Sequence, residues 1–236
     1  MKKVSNKKKK YKLKTKAINM ATILFLIVGL VFIFLNPLKE SMVQQMSNNN
    51  NILRVSASTV EKNQKDTGNF DFDQVVDLNS SNIVQAFLNQ QEIGQVGGIV
   101  IPKVQMNLPI VKGVSNQNLA VGAGTMKADQ EMGVGNYALA GHNMNDRKTL
   151  FSPLYNVAIG DVIYLTDLNY IYSYRIKAIE TVDIESVNVI QDVEDKKLIT
   201  LVTCNADGSK RLIVQGIFEK KESIQDVSEL ESLFDI

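Results

Sequence analysis

The chain holds one cysteine and one histidine, and each closes a short apolar run. Cys204 ends Leu198-Ile199-Thr200-Leu201-Val202-Thr203-Cys204, and His142 ends Tyr137-Ala138-Leu139-Ala140-Gly141-His142. Seven residues after the cysteine, Arg211 opens a third run, Arg211-Leu212-Ile213-Val214-Gln215-Gly216. A thiol, an imidazole and a guanidinium at the rims of strands suit nucleophilic catalysis on a carbonyl. The thiolate adds, the imidazole carries the proton, and the guanidinium balances the charge on thiolate and oxyanion. A single Cys leaves neither an intrachain disulfide nor a multi-cysteine metal site.

Each residue also has a plainer role. A cysteine usually packs as a small hydrophobe, a solitary His is most often structural or at the surface, and an isolated Arg makes a surface ion pair. The turn-forming residues 205–209 join the runs bearing Cys204 and Arg211, which brings the two together if the runs pair as a β-ladder. Small Ala140-Gly141 before His142 and polar Asn143 after it should leave the imidazole accessible. Spacing does not exclude Asp146, four residues after His142, as the third member of a papain-like triad, but a charge in the 143–148 loop is more simply solvated.

These residues need a scaffold. From Gly97 onward the chain breaks into short runs rich in β-branched and aromatic residues, at 99–101, 108–111, 137–140, 162–165, 170–179, 197–203 and 211–218. Gly, Asn, Asp or Pro separate most of them, the pattern of an all-β sandwich or barrel. Ahead of these runs residues 80–88 read as an N-capped short helix, and 115–121 and 150–155 as two helical interruptions among them. Apolar positions at helical spacing in 222–236 predict a C-terminal helix.

The net charge of +1 conceals a division. Residues 1–16 carry nine lysines and no acid, so removing those nine charges leaves −8 on the rest. An acidic body lacks the basic face that nucleic-acid binding requires. The lysines run into residues 17–35, nineteen residues in which only Asn19 and Thr22 are clearly polar. As a helix they span roughly 28 Å, close to the ~30 Å hydrocarbon core of a bilayer. The length exceeds the ~7–15-residue apolar core of a cleaved signal peptide, so an uncleaved anchor is expected, ending at Asn36-Pro37. Lysines before the span, against Lys39 shortly after it, predict a cytoplasmic N-terminus and an exported body. The organisation read from sequence is a basic tail at 1–16, an anchor at 17–35, a flexible polar stalk at 36–78, a β domain at 79–221 and the helix at 222–236.

The marks on this β domain resemble the sortase family. Thr200-Leu201-Val202-Thr203-Cys204 matches its TLxTC signature, Arg211 falls where the family has its arginine, and Ala140-Gly141-His142 matches the segment bearing its histidine. The similarity covers about residues 90–220, and an N-terminal anchor with no C-terminal span looks like class A. The resemblance implies an eight-stranded sortase-type β-barrel with short helices and a cysteine transpeptidase of the Gram-positive cell surface. It implies that Cys204 cleaves an LPXTG-type sorting signal between Thr and Gly and passes the acyl group to a peptidoglycan precursor such as lipid II. It gives His142 the proton transfers and Arg211 the oxyanion. By the same resemblance Ala140 and Thr203 line the groove, and Val187, Val189 and Ile190 form the loop over the Leu-Pro part of the signal; on the residues alone that segment fits a plain apolar strand end or short helix equally well. Some sortases bind calcium through acids ahead of the His strand. Asp129 and Glu131 do not match those offsets, and although Asp192 could serve from the loop, no metal or other cofactor is expected. Two other readings stay open on the residues alone: an exported cysteine peptidase or amidase that transfers the acyl group to water, and a tethered barrel whose Cys only packs.

Overall fold

The computed structural model describes residues 2–76, 78–88, 93–144, 146–205 and 207–234. It divides into two compact units, residues 1–39 and 40–236. The first is the leading part of helix α1 (Lys2–Asn49). Its most apolar stretch has a mean hydropathy of 2.7 and none of it is buried, so by length and composition it is able to cross a membrane. Helix α1 does not stop at Asn36 but runs through Pro37 to Asn49. Proline inside a helix costs about 3 kcal/mol. Beyond it, Val43 and Met46 are almost fully buried in the second unit, each worth about 1.5–3 kcal/mol to the packing of that unit.

In the second unit α2 (Ala57–Gln64) and α3 (Ser80–Leu88) precede a barrel of β1 (Gln95–Ile101), β2 (Met106–Val111), β3 (Ala123–Thr125), β4 (Asn136–Ala140), β5 (Val162–Thr166), β6 (Tyr170–Asp183), β7 (Leu198–Cys204) and β8 (Lys210–Ser223). A short α4 (Asn116–Val121) lies between β2 and β3, and α5 (Val227–Phe234) follows the barrel. The strands close in the order β1-β2-β3-β4-β7-β8-β6-β5. Every pairing is antiparallel except β2 with β3 and β4 with β7. Strand β3, Ala-Gly-Thr, has no run of large apolar residues to announce it; α4 delivers it alongside β2. Inside the barrel Ile99, Ile110, Leu139, Tyr174, Ile199 and Val214 are fully buried. The Tyr174 hydroxyl accepts the Gly133 N–H at 2.7 Å, and burial raises its pKa to about 12, so it remains a neutral core residue.

Residues 40–76 differ from the flexible stalk that their polar composition suggests. Val43 and Met46 join the barrel core, while Ile52 and Val60 form a second cluster outside the barrel with Val100, Ile171, Leu230 and Phe234. The mean polarity of the segment masks a few apolar residues, each placed to meet the barrel or α5. That second cluster also holds α5 in place, and the longer β8 takes the residues before it.

Candidate active site

Parallel pairing of β4 with β7 governs the site. In this register Ala140 lies beside Val202, and Gly141 N–H continues the ladder to the Val202 carbonyl at 3.1 Å. Both strands therefore leave the barrel at the same rim, one delivering His142 and the other Cys204. Antiparallel pairing would have sent them to opposite ends. Strand β8 then returns antiparallel to β7, with Arg211 directly opposite Cys204.

Side-chain bonds tie these strand ends together. The Thr203 hydroxyl donates to the Gly141 carbonyl at 2.7 Å, locking the residue before Cys204 to the residue before His142. Gly141 packs face-on against the Phe151 ring, where any Cβ would collide. The Phe151 N–H bonds the His142 carbonyl at 3.0 Å. His142 is only 8% exposed, so small neighbours do not leave the imidazole as accessible as the sequence suggests. Asp146 does not complete a triad: its carboxylate accepts the Lys148 and Thr149 N–H groups at 3.0 Å and the Thr149 hydroxyl, all within its own loop.

His142, Cys204 and Arg211 line one cavity of about 390 Å³ together with Ala140, Thr203, Val189 and Ile190. Val187 shares the single 3-10 turn Val187–Ile190 with the latter two. A larger polar depression of about 510 Å³, among Gln64, Lys112, Asp129, Asp167 and Lys221, contains neither thiol nor imidazole. The Arg211 Nη1 donates to the carbonyls of Gly208 (3.1 Å) and Lys210 (3.2 Å), which orients the guanidinium on the β7–β8 turn.

Two groups near the site carry no signal in the sequence. Tyr155 donates its hydroxyl to the Cys204 carbonyl at 3.2 Å. Partial burial, then the neighbouring Cys204 and Asp207, raise its pKa, so it stays protonated as a donor. Asn136, almost fully buried, clamps the 187–191 turn: its Nδ2 donates to the carbonyls of Val189 (3.0 Å) and Gln191 (3.1 Å). Its Oδ1 accepts the hydroxyl of buried Thr200 at 2.7 Å, and Gln215 Nε2 donates to that same hydroxyl oxygen at 3.1 Å. The first threonine of the Thr200–Cys204 run thus holds the clamp, not the nucleophile. Asn136→Ala leaves the buried Thr200 O–H without its acceptor, a cost of about 1–3 kcal/mol. The expected result is a lower melting temperature and a KM that rises more than kcat falls, measured by thermal denaturation and steady-state peptide kinetics.

The residues present do not fit a calcium site. The Lys127 Nζ lies 2.6 Å from Asp192 Oδ1, and the Asn136 N–H donates to the same oxygen at 2.8 Å. The Lys127 ammonium, then the Asn136 amide, hold the Asp192 carboxyl below its usual range. An ammonium thus already sits on the carboxylate that a cation would need. Among the described residues no group of three or more His, Cys, Asp or Glu side chains comes together.

A sortase domain family model matches residues 99–218. The chain belongs to the sortase family. It is 39% identical over 214 residues to the sortase A of Listeria monocytogenes, covering 90% of this chain and 95% of that one. To the sortase A of Streptococcus agalactiae it is 41% identical over 207 residues, 85% of this chain and 84% of the other. The crystal structure of Listeria monocytogenes sortase A matches with a TM-score of 0.57 and 42% identity, over 60% of this chain and 98% of that one. This sortase is therefore a sortase A-type transpeptidase of cell-wall sorting, built on the closed eight-stranded barrel of its family.

Proposed function

We propose that this sortase cleaves an LPXTG-type sorting signal between Thr and Gly and joins the acyl part to an amine of a peptidoglycan precursor such as lipid II. The observation that carries the reading is the convergence of His142, Cys204 and Arg211 on one cavity through the parallel β4–β7 pair. Cys204 Sγ, as thiolate, adds to the Thr carbonyl carbon, and Arg211 balances the oxyanion. Collapse breaks the C–N bond, the imidazolium of His142 gives its proton to the departing Gly amine, and a thioester remains. The acceptor amine then attacks the thioester, neutral His142 takes up its proton, and the thiolate leaves. Each cycle returns both groups to their starting protonation.

Ala140, Thr203 and the 187–190 turn border the acyl part of the peptide in this reading. The Thr203 hydroxyl, spent on Gly141, serves the strand ends and not the ligand. The N-terminal helix anchors the enzyme with its lysine-rich end in the cytoplasm and the barrel outside. Because both substrates are held at the membrane, anchoring raises their effective concentration.

The test is a sorting-signal peptide incubated with and without a short glycyl amine, with products resolved by mass spectrometry. A new amide that grows with amine concentration at the expense of the free acid is expected. Cleavage to free acid alone, unchanged by amine, identifies a hydrolase instead. No cleavage at Thr–Gly overturns the proposal.

A further inference from the structure

The segment just ahead of α3 enters the same cavity as the thiol, contributing Phe72, Asp73, Val75 and Val76. It is strapped down at both ends. The Asn69 carbonyl accepts the Val114 N–H at 2.7 Å, and Asn69 bridges to Gly113. Gly113 has φ of +84° and its Cα lies so close to the Asn69 backbone that no side chain fits there. At the other end Asn116 accepts the Val76 N–H on Oδ1 at 2.9 Å and donates Nδ2 to the Gln74 carbonyl at 2.9 Å. Between the ties lies one 3-10 turn, Phe72–Gln74, capped by Asp71, whose Oδ1 accepts the Asp73 N–H at 3.1 Å.

Packing explains only part of this order, through the half-buried Phe70 and Val75. Ordering a residue's backbone costs about 1–2 kcal/mol, usually offset by burying its apolar side chains. Here no residue of the turn is buried, and Phe72 and Val76 stay 44% and 48% exposed. Their neighbours around the cavity include Ile184, Val189 and Ile190, so the strap adds to an existing apolar lining. Apolar side chains held in fixed positions beside reactive groups form a preformed contact, buried only when a ligand arrives.

We propose that strap 69–76 is a substrate-recognition wall and that Phe72 and Val76 receive the leucine side chain of the sorting peptide. This rests on the function proposed above. The leucine is the large apolar side chain of an LPXTG-type signal and lies on the acyl side, which stays in the cavity through both chemical steps.

The test pairs an enzyme change with a peptide change. Wild type and Phe72→Ala are assayed on the sorting peptide and on the same peptide with its Leu replaced by Ala. Phe72→Ala should lower kcat/KM on the Leu peptide about tenfold, the scale of one or two methylenes in an apolar pocket, chiefly through KM. On the Ala peptide, already slow, it should change little. Asn116→Ala, which unties the strap, should give the same peptide-dependent loss with the melting temperature of Phe72→Ala unchanged. Equal loss on both peptides means a structural role and overturns the proposal, as does no loss. A faster reaction on both means a lid and also overturns it. If wild type cleaves neither peptide, the underlying transpeptidase reading fails with it. If wild type cleaves and only the Phe72 dependence is missing, the recognition wall fails alone.

Discussion

Cys204→Ala is expected to remove transpeptidation by about 10⁴-fold or more, the scale seen when a covalent nucleophile is deleted. No other side chain can take its place, since the chain has a single cysteine. A water-mediated residual reaction would yield free acid and no acyl-enzyme. Stability should hardly move: Cys204 is a partly buried residue at the end of β7, and losing one sulfur there stays within about 1 kcal/mol. The measurements are single-turnover peptide cleavage, intact-protein mass spectrometry for the thioester, and a melting curve as control. Full activity in this variant would exclude the thiol as nucleophile and sink every thioester mechanism for the site.

Arg211→Lys keeps the charge and should still lose about 10²–10³-fold in kcat, the typical effect of deleting one oxyanion donor. A lysine offers a single flexible ammonium where arginine has a rigid fork. In the native fork Nη1 is spent on the Gly208 and Lys210 carbonyls. Those bonds orient the group, and in the proposed mechanism Nε and Nη2 donate to the peptide. The ammonium of lysine can satisfy the turn or reach the oxyanion, but it holds no fixed geometry for both. If Arg211 served the β7–β8 turn alone, lysine would lower the melting temperature and leave kcat in place. Transition-state stabilisation instead lowers kcat with little change in KM. Steady-state kinetics on one peptide, with a melting curve, separates the two outcomes.

The clamp and the strap show how far local sequence reading reaches. Seven of the eight strands announce themselves as β-branched or aromatic runs, because those side chains fit a pleated, half-buried surface. Strand β3 does not, since Ala-Gly-Thr is set in place by α4 and by its neighbours β2 and β4. Asn136 looks like a polar strand start, yet its amide meets carbonyls more than fifty residues away in sequence. The polar segment 40–76 has the composition of a linker, and its order comes from isolated contacts, Val43, Met46, Ile52 and Val60 in the packing and Asn69 and Asn116 at the strap. Averages over a window cannot register contacts that depend on a few residues each.

Residue type and local spacing by themselves determined the chemistry on offer: one thiol, one imidazole and an arginine opening the strand after the thiol. They also marked an apolar helix of bilayer length and the signature that led to the family. Only the tertiary structure decided that the thiol and imidazole could meet. Strand periodicity states which residues alternate, but it is silent on whether two strands run parallel or antiparallel. That choice is made by the β5–β6 excursion, which separates β4 from β7 in sequence and lets β7 return beside β4 in the same direction. The parallel pair sends both strand ends to one rim, and the antiparallel β8 then sets Arg211 across from Cys204.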